Sequence, residues 1–207
     1  MKPIAKIALG TVSLLSLSFG GLVMQAGGWD NFKLQYFHLT SILHDQSQEL
    51  EDIKKQNNKP IEETARIDLK NLFNGGPPKD GIPSIDNPKF DVALTTPFSL
   101  EETVIGVVIN GEAKAYPYKI MNWHEIVNDT IGGINVSVTY CPLCDTIAAF
   151  TRGNTTFGVS GKLYQSCLVM YDRADDTLYA QPWTLGVVGP RVNQSLERIP
   201  AVKTSLG

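Results

Sequence analysis

Residues 103–118 read TVIGVVINGEAKAYPY. Two runs rich in β-branched and aromatic residues flank Asn110-Gly111, and Asn-Gly supports positive φ at both centres of a type I′ turn. The stretch is predicted to be a β-hairpin, and the chain beyond it has the same grammar. IGGINVSVTY (131–140) is a strand entered through a Gly-Gly turn. DTIAAFTRGNTTFGVSG and CLVMYDRADDTLYAQ continue as short strands separated by Gly, Asn and Asp. Only KIMNWHEIVND (119–129) reads as a short helix or turn. Strands at this spacing, with no strand–helix alternation, predict a mostly β, β-rich α+β domain of antiparallel strands and hairpins with a short helix. They do not suggest a Rossmann or thioredoxin sheet.

Upstream of the hairpin the chain changes character. FNGGPPKDGIPSIDNPKF (73–90) holds Gly75, Gly76, Pro77, Pro78, Gly81, Pro83 and Pro88, and reads as an extended, turn-rich loop. Asp80 and Asp86 are expected to accept hydrogen bonds from local turns. Residues 30–60 carry partly helical apolar spacing with a polar outer face, and read as a helical stalk or linker ending at NNKP. Residues 1–29 place Lys2 and Lys6 ahead of an uncharged apolar run from Ile7 to Trp29. That order predicts a signal peptide or a membrane anchor, with the rest of the chain outside the cytoplasm, anchored or secreted. The expected organisation is therefore 1–29 signal or transmembrane helix, 30–60 stalk, and 61–207 β-rich globular domain.

Composition excludes some functions. Hydrophobic residues make up 43% and charged residues 19%, enough to bury a core. The formal net charge of −3, without a basic patch, gives a nucleic-acid partner little electrostatic support. Four Asn-X-Ser/Thr sequons, at Asn128, Asn135, Asn154 and Asn193, matter only where exported chains are glycosylated.

Candidate chemistry centres on Cys141-Pro-Leu-Cys144, which holds two of the three cysteines. Two cysteines this close suit thiol redox work, in which one thiolate attacks and the other resolves. They equally suit two corners of a metal tetrahedron. His124 is the only histidine of the globular part, since His38 and His44 lie in the stalk. It can lower a thiol's pKa, move its proton or ligate a metal. Cys167 is left over as a buried thiol or a third ligand. Alternation along a strand sets it on the opposite side from Met170. Asp172, Arg173 and Lys162 read as surface turn charges.

Three readings follow. The first is an extracytoplasmic thiol–disulfide oxidoreductase with Cys141 attacking, Cys144 resolving and His124 assisting, served by a redox partner protein. The second is a copper or zinc protein using Cys141, Cys144 and His124 as ligands, loaded by a metal donor. The third is a structural or partner-binding β domain pinned by a Cys141–Cys144 disulfide. In all three the N-terminal segment meets the membrane.

DGIPSIDNPKF, INGEAKAYPYKIMNWHEIVNDTIGGINVSVTYCPLCDT and FGVSGKLYQSCLVMYDRADDTLYAQ together resemble the domain-of-unknown-function family numbered 3179. That family comprises exported or membrane-attached prokaryotic proteins, some described as selenoproteins, which implies redox or soft-metal chemistry. On this resemblance Cys141 and Cys144 match a CPLC block, His124 an NWHE block, and Asp172 and Arg173 a YDR block. Two positions depart from it. Asp145 stands where the family usually has glycine or another small residue, and Cys167 stands where Asp is common. The resemblance also implies a domain that continues past Gly207.

Overall fold

The computed structural model describes residues 64–92 and 96–207. The expected signal or anchor and the stalk, with His38 and His44, lie outside these residues.

The hairpin forms as its turn chemistry predicts. Strand β3 (Thr103–Ile109) pairs antiparallel with β4 (Glu112–Pro117), and Asn110 and Gly111 take φ of 50° and 82°. A third strand from the end of the chain, β13 (Ala201–Ser205), joins β3 to complete a three-stranded sheet. Next comes the one α-helix among the described residues, α1 (Tyr118–His124), which closes on a left-handed Glu125 whose N–H bonds Met121 O at 2.8 Å.

A second sheet runs β12-β7-β6-β5-β2, built from β5 (Ile126–Ile131), β6 (Ile134–Cys141), β7 (Thr146–Thr151), β12 (Arg198–Ile199) and β2 (Ile85–Asp86). Its pairings are antiparallel except β2 with β5, where the Gly/Pro-rich loop lays two residues alongside Val127 and Asn128. The third sheet runs β1-β8-β9-β10-β11, from β1 (Leu72–Asn74), β8 (Phe157–Tyr164), β9 (Cys167–Asp172), β10 (Leu178–Ala180) and β11 (Leu185–Val188). The β-rich, antiparallel architecture expected from the hairpin signals is thus the one observed.

The second sheet is the middle layer, so β6 is buried on both faces. Its residues alternate accordingly. Val136 and Val138 point to a core shared with Ile105, Met121 and Val127. Cys141 points the other way, into a core with Phe150, Phe157, Leu168 and Met170. Each large apolar side chain fully buried there contributes about 1.5–3 kcal/mol. Ser137 and Thr139 share the Cys141 face, and each hydroxyl donates a hydrogen bond, Ser137 to Asn128 Oδ1 at 2.7 Å and Thr139 to Ala148 O at 2.9 Å. Burying a hydroxyl without such a partner is costly, so this polar row is held in one arrangement. Asn128, in one of the sequons, is buried and bonded to Asp86, Ser137 and Phe157, which closes it to modification in the folded chain.

Candidate functional site

The end of β6 carries Cys141, and the tight turn after it carries Cys144. Across the middle core the hairpin from β8 to β9 ends at Cys167. These two turns meet. Cys144 and Cys167 form a disulfide with Cα atoms 5.7 Å apart, within the range such a bond requires. Cys141 is a free, buried thiol. The expected Cys141–Cys144 disulfide is therefore not the one formed. The CPLC turn instead curls its first sulfur inward and presents its second to the neighbouring sheet. Local spacing could not reveal Cys167 as the partner, because the contact depends on two hairpins of different sheets.

Cys141 is held by a backbone donor. The Leu168 N–H donates to its sulfur at 3.3 Å, and the nearby amides of Leu143 and Cys144 also favour the thiolate. Burial pushes the Cys141 thiol up from its ordinary value, against the opposing pull of these amides, and the nearby Glu125 carboxylate adds to the rise. Cys144 lies beside Thr146, whose hydroxyl is 3.1 Å from its sulfur. The same hydroxyl donates to Gln181 Oε1 at 2.7 Å, and the buried Gln181 amide bonds Thr139 and Thr146 in return.

Beside Cys141 lies a cavity of about 20 Å³, room for about one water molecule. Glu125, Lys162 and Cys141 all line it, and Leu143, about half exposed, sits at its edge. Lys162 is buried, not a surface turn charge, and burial lowers its pKa. A register shift in β8 between Val159 and Lys162 brings it there. At the shift Gly161 takes φ +77°, and a Cβ on it would lie 2.3 Å from Pro77 O, so only glycine lets the two backbones pass.

The cavity is roofed by the loop from Gly75 to Ile82, and long-range contacts fix that loop. Arg173 reaches Asp80, Asp86, Ser84 and Thr156, at 2.9 to 3.3 Å. Tyr171 donates its hydroxyl to Asp80, and burial followed by that bond pushes the phenol up to about 12. Asp80 thus serves the YDR segment across the fold and not a local turn, while Asp86 accepts from the local Ser84 hydroxyl, as expected, and from Arg173 and Asn128 as well. Asp172, expected at the surface, is fully buried and paired with Arg191 at 2.9 Å.

His124 ends α1 and its Nδ1 lies 2.8 Å from Pro83 O, directly after the roof segment. A carbonyl only accepts, so Nδ1 carries the proton and, in the neutral ring, Nε2 is the acceptor. His124 thus anchors the end of the roof, while the sulfur is held by the Leu168 amide. Among the described residues, no three His, Cys, Asp or Glu side chains converge as a metal cluster. Asp145, at the position where the resemblance gave a small residue, adopts φ 48° and ties Lys203 at 2.7 Å. The left-handed backbone accounts for a preference for glycine there.

Residues 79–207 match the family model DUF3179, described as a protein of unknown function. No curated protein and no solved structure compared with the chain matches it. The matched region is more than half of the chain and contains all three cysteines, His124, Glu125 and Lys162. The chain belongs to the DUF3179 family.

Proposed function

We propose that this member of the DUF3179 family is an extracytoplasmic thiol–disulfide redox protein whose working unit is the three-cysteine site. The observation that carries the reading is that a free Cys141 thiol and the Cys144–Cys167 disulfide share one core. Its sulfur accepts from the amide of Leu168, the neighbour of Cys167. In the proposed step the Cys141 thiolate attacks Cys144 Sγ. A Cys141–Cys144 bond forms, the Cys144–Cys167 bond breaks, and Cys167 leaves as a thiolate. This exchange is redox-neutral. Oxidation or reduction of the site comes from a dithiol or disulfide partner protein. His124 acts as a positioning residue through Pro83. The extracytoplasmic location rests on the Lys-led apolar run of residues 7–29.

A second reading has its own support. The disulfide ties the middle sheet to the β8–β9 hairpin across 23 residues, which suits a structural staple worth about 3 kcal/mol. Titration of the full-length chain in glutathione buffers, with thiols counted, separates the two. The redox reading expects a reversible two-electron step from one thiol to three in the folded protein. A disulfide that resists reduction until the protein unfolds would leave the staple.

A further inference from the structure

A buried thiol is a poor nucleophile, so exchange at neutral pH needs somewhere for the Cys141 proton to go. The cavity beside Cys141 supplies it. Apart from Cys141 and Leu143 of the CPLC turn, the residues lining it come from four places. The end of α1 gives Glu125, β8 gives Lys162 across its register shift, and β9 gives Leu168, while the roof segment gives only apolar and glycine residues. Lys79 and Asp80 of the roof are engaged elsewhere, with Asp176 and with Arg173 and Tyr171. The titratable groups facing the sulfur across this space are therefore one carboxylate and one amine, both buried.

Glu125 is held there at a conformational cost. It closes α1 with φ 57° and ψ −29°, at a position where glycine is the usual residue. A non-glycine residue so placed costs of order 1–3 kcal/mol, and such residues cluster at working sites. Its backbone also bonds β6, with Tyr140 N–H donating to Glu125 O at 2.8 Å, which keeps it beside the strand that ends in Cys141.

We infer that Glu125 is the proton acceptor for Cys141 and that Lys162 balances the negative charge passing between them. The inference rests on the redox reading. The thiol proton moves to the Glu125 carboxylate, directly or through the one water the cavity accommodates. The sulfur then attacks Cys144 Sγ, and Cys167 departs as a thiolate at a partly exposed position where it takes a proton from solvent. Atoms and electrons balance without an external oxidant.

The test uses the oxidised full-length chain and excess iodoacetamide. Each exchange releases Cys167, which the reagent traps, so label mapped to Cys167 reports exchange and label on Cys141 reports direct ionisation. In the wild type, Cys167 labelling is expected near pH 7, well below the ionisation range of a buried thiol. Glu125→Gln is expected to slow it at least tenfold, the low end of general-base effects being about a hundredfold. Direct Cys141 labelling should be no slower in that variant, because loss of the carboxylate's charge favours the thiolate. Glu125→Asp should recover part of the rate, and Lys162→Met should slow exchange. Exchange in the wild type confined to alkaline pH, or unchanged in Glu125→Gln, would overturn the proton-acceptor role while leaving the redox reading intact. No Cys167 labelling at any pH would instead overturn the redox reading itself, and the inference with it.

Discussion

The backbone N–H of Leu168 donates a 3.3 Å hydrogen bond to the sulfur of Cys141. The bond joins β9 to the end of β6 and sets the Cys141 sulfur next to the Cys144–Cys167 disulfide. A sulfur that accepts this amide is held in place, and its burial raises its pKa. Reactivity at this site is therefore controlled by access and by proton removal.

Access depends on Arg173. Its guanidinium ties Asp80 of the roof loop, and Ser84 and Asp86 just after it, to the third sheet. Arg173→Ala removes several charge-assisted bonds, and about 1.4–2.8 kcal/mol of roof stability is a fair share of them. Cys141 alkylation in the folded protein should then rise about ten- to a hundredfold. An unchanged rate would show that the roof does not gate the thiol.

Cys167 decides which disulfide forms. In Cys167→Asp, which restores the residue common in the resembling family, Cys144 has only Cys141 within the site to pair with. Peptide mapping after mild oxidation should find a Cys141–Cys144 bond. Loss of the 23-residue link should lower stability by about 3 kcal/mol in denaturant titration. Two free thiols persisting under oxidation would argue that the CPLC turn cannot close.

The buried pair below the hairpin gives a prediction independent of the sulfur chemistry. Tyr116 donates to Asp129 Oδ2 at 2.7 Å, and Lys114 bonds the same carboxylate at 3.0 Å. Burial, then that hydrogen bond, raises the Tyr116 pKa strongly. Tyr116→Phe deletes a bond to a charged group and should cost about 1.5–3 kcal/mol, read as a lower denaturation midpoint. Redox behaviour should not change.

The Cys141 thiol also makes stability depend on pH. Its pKa is raised in the folded state above the ordinary 9.0. Between those values the unfolded chain has lost the proton and the folded chain keeps it, so stability falls as pH rises. The contribution is fully present below pH 9 and is lost as pH climbs through the folded value. Cys141→Ser should remove it. The wild-type minus Cys141→Ser difference in unfolding free energy should thus be flat up to about pH 9 and decline above it. A difference that grows with pH would have the wrong sign for a buried neutral thiol.

The sequence carried the fold well. Asn110-Gly111 and Gly132-Gly133 fix their hairpins through local backbone preference, which a linear pattern displays. The turn-rich loop was equally readable, and the short helix was readable at Tyr118–His124, but the end of the stretch expected to be helix or turn, residues 126–129, is strand β5. What the pattern did not show is the pairing between sheets. Cys167 reaches Cys144 because two hairpins of different sheets meet. Arg173 reaches Asp80 across 93 residues, and Lys162 turns inward at a strand irregularity. None of these leaves a periodic trace. Glu125 was visible beside His124, but adjacent residues usually point apart, and the left-handed turn that separates their roles appears only in three dimensions.

The most direct test of the account is disulfide mapping of the wild-type full-length chain. The chain is held oxidised, quenched in acid at intervals during exchange with a dithiol, and digested. The account predicts two species in the folded protein, the Cys144–Cys167 form with free Cys141 and a Cys141–Cys144 form with free Cys167, interconverting and both reducible. Finding Cys144–Cys167 as the sole bond at every time point, with redox cycling unchanged in Cys141→Ser, would contradict it.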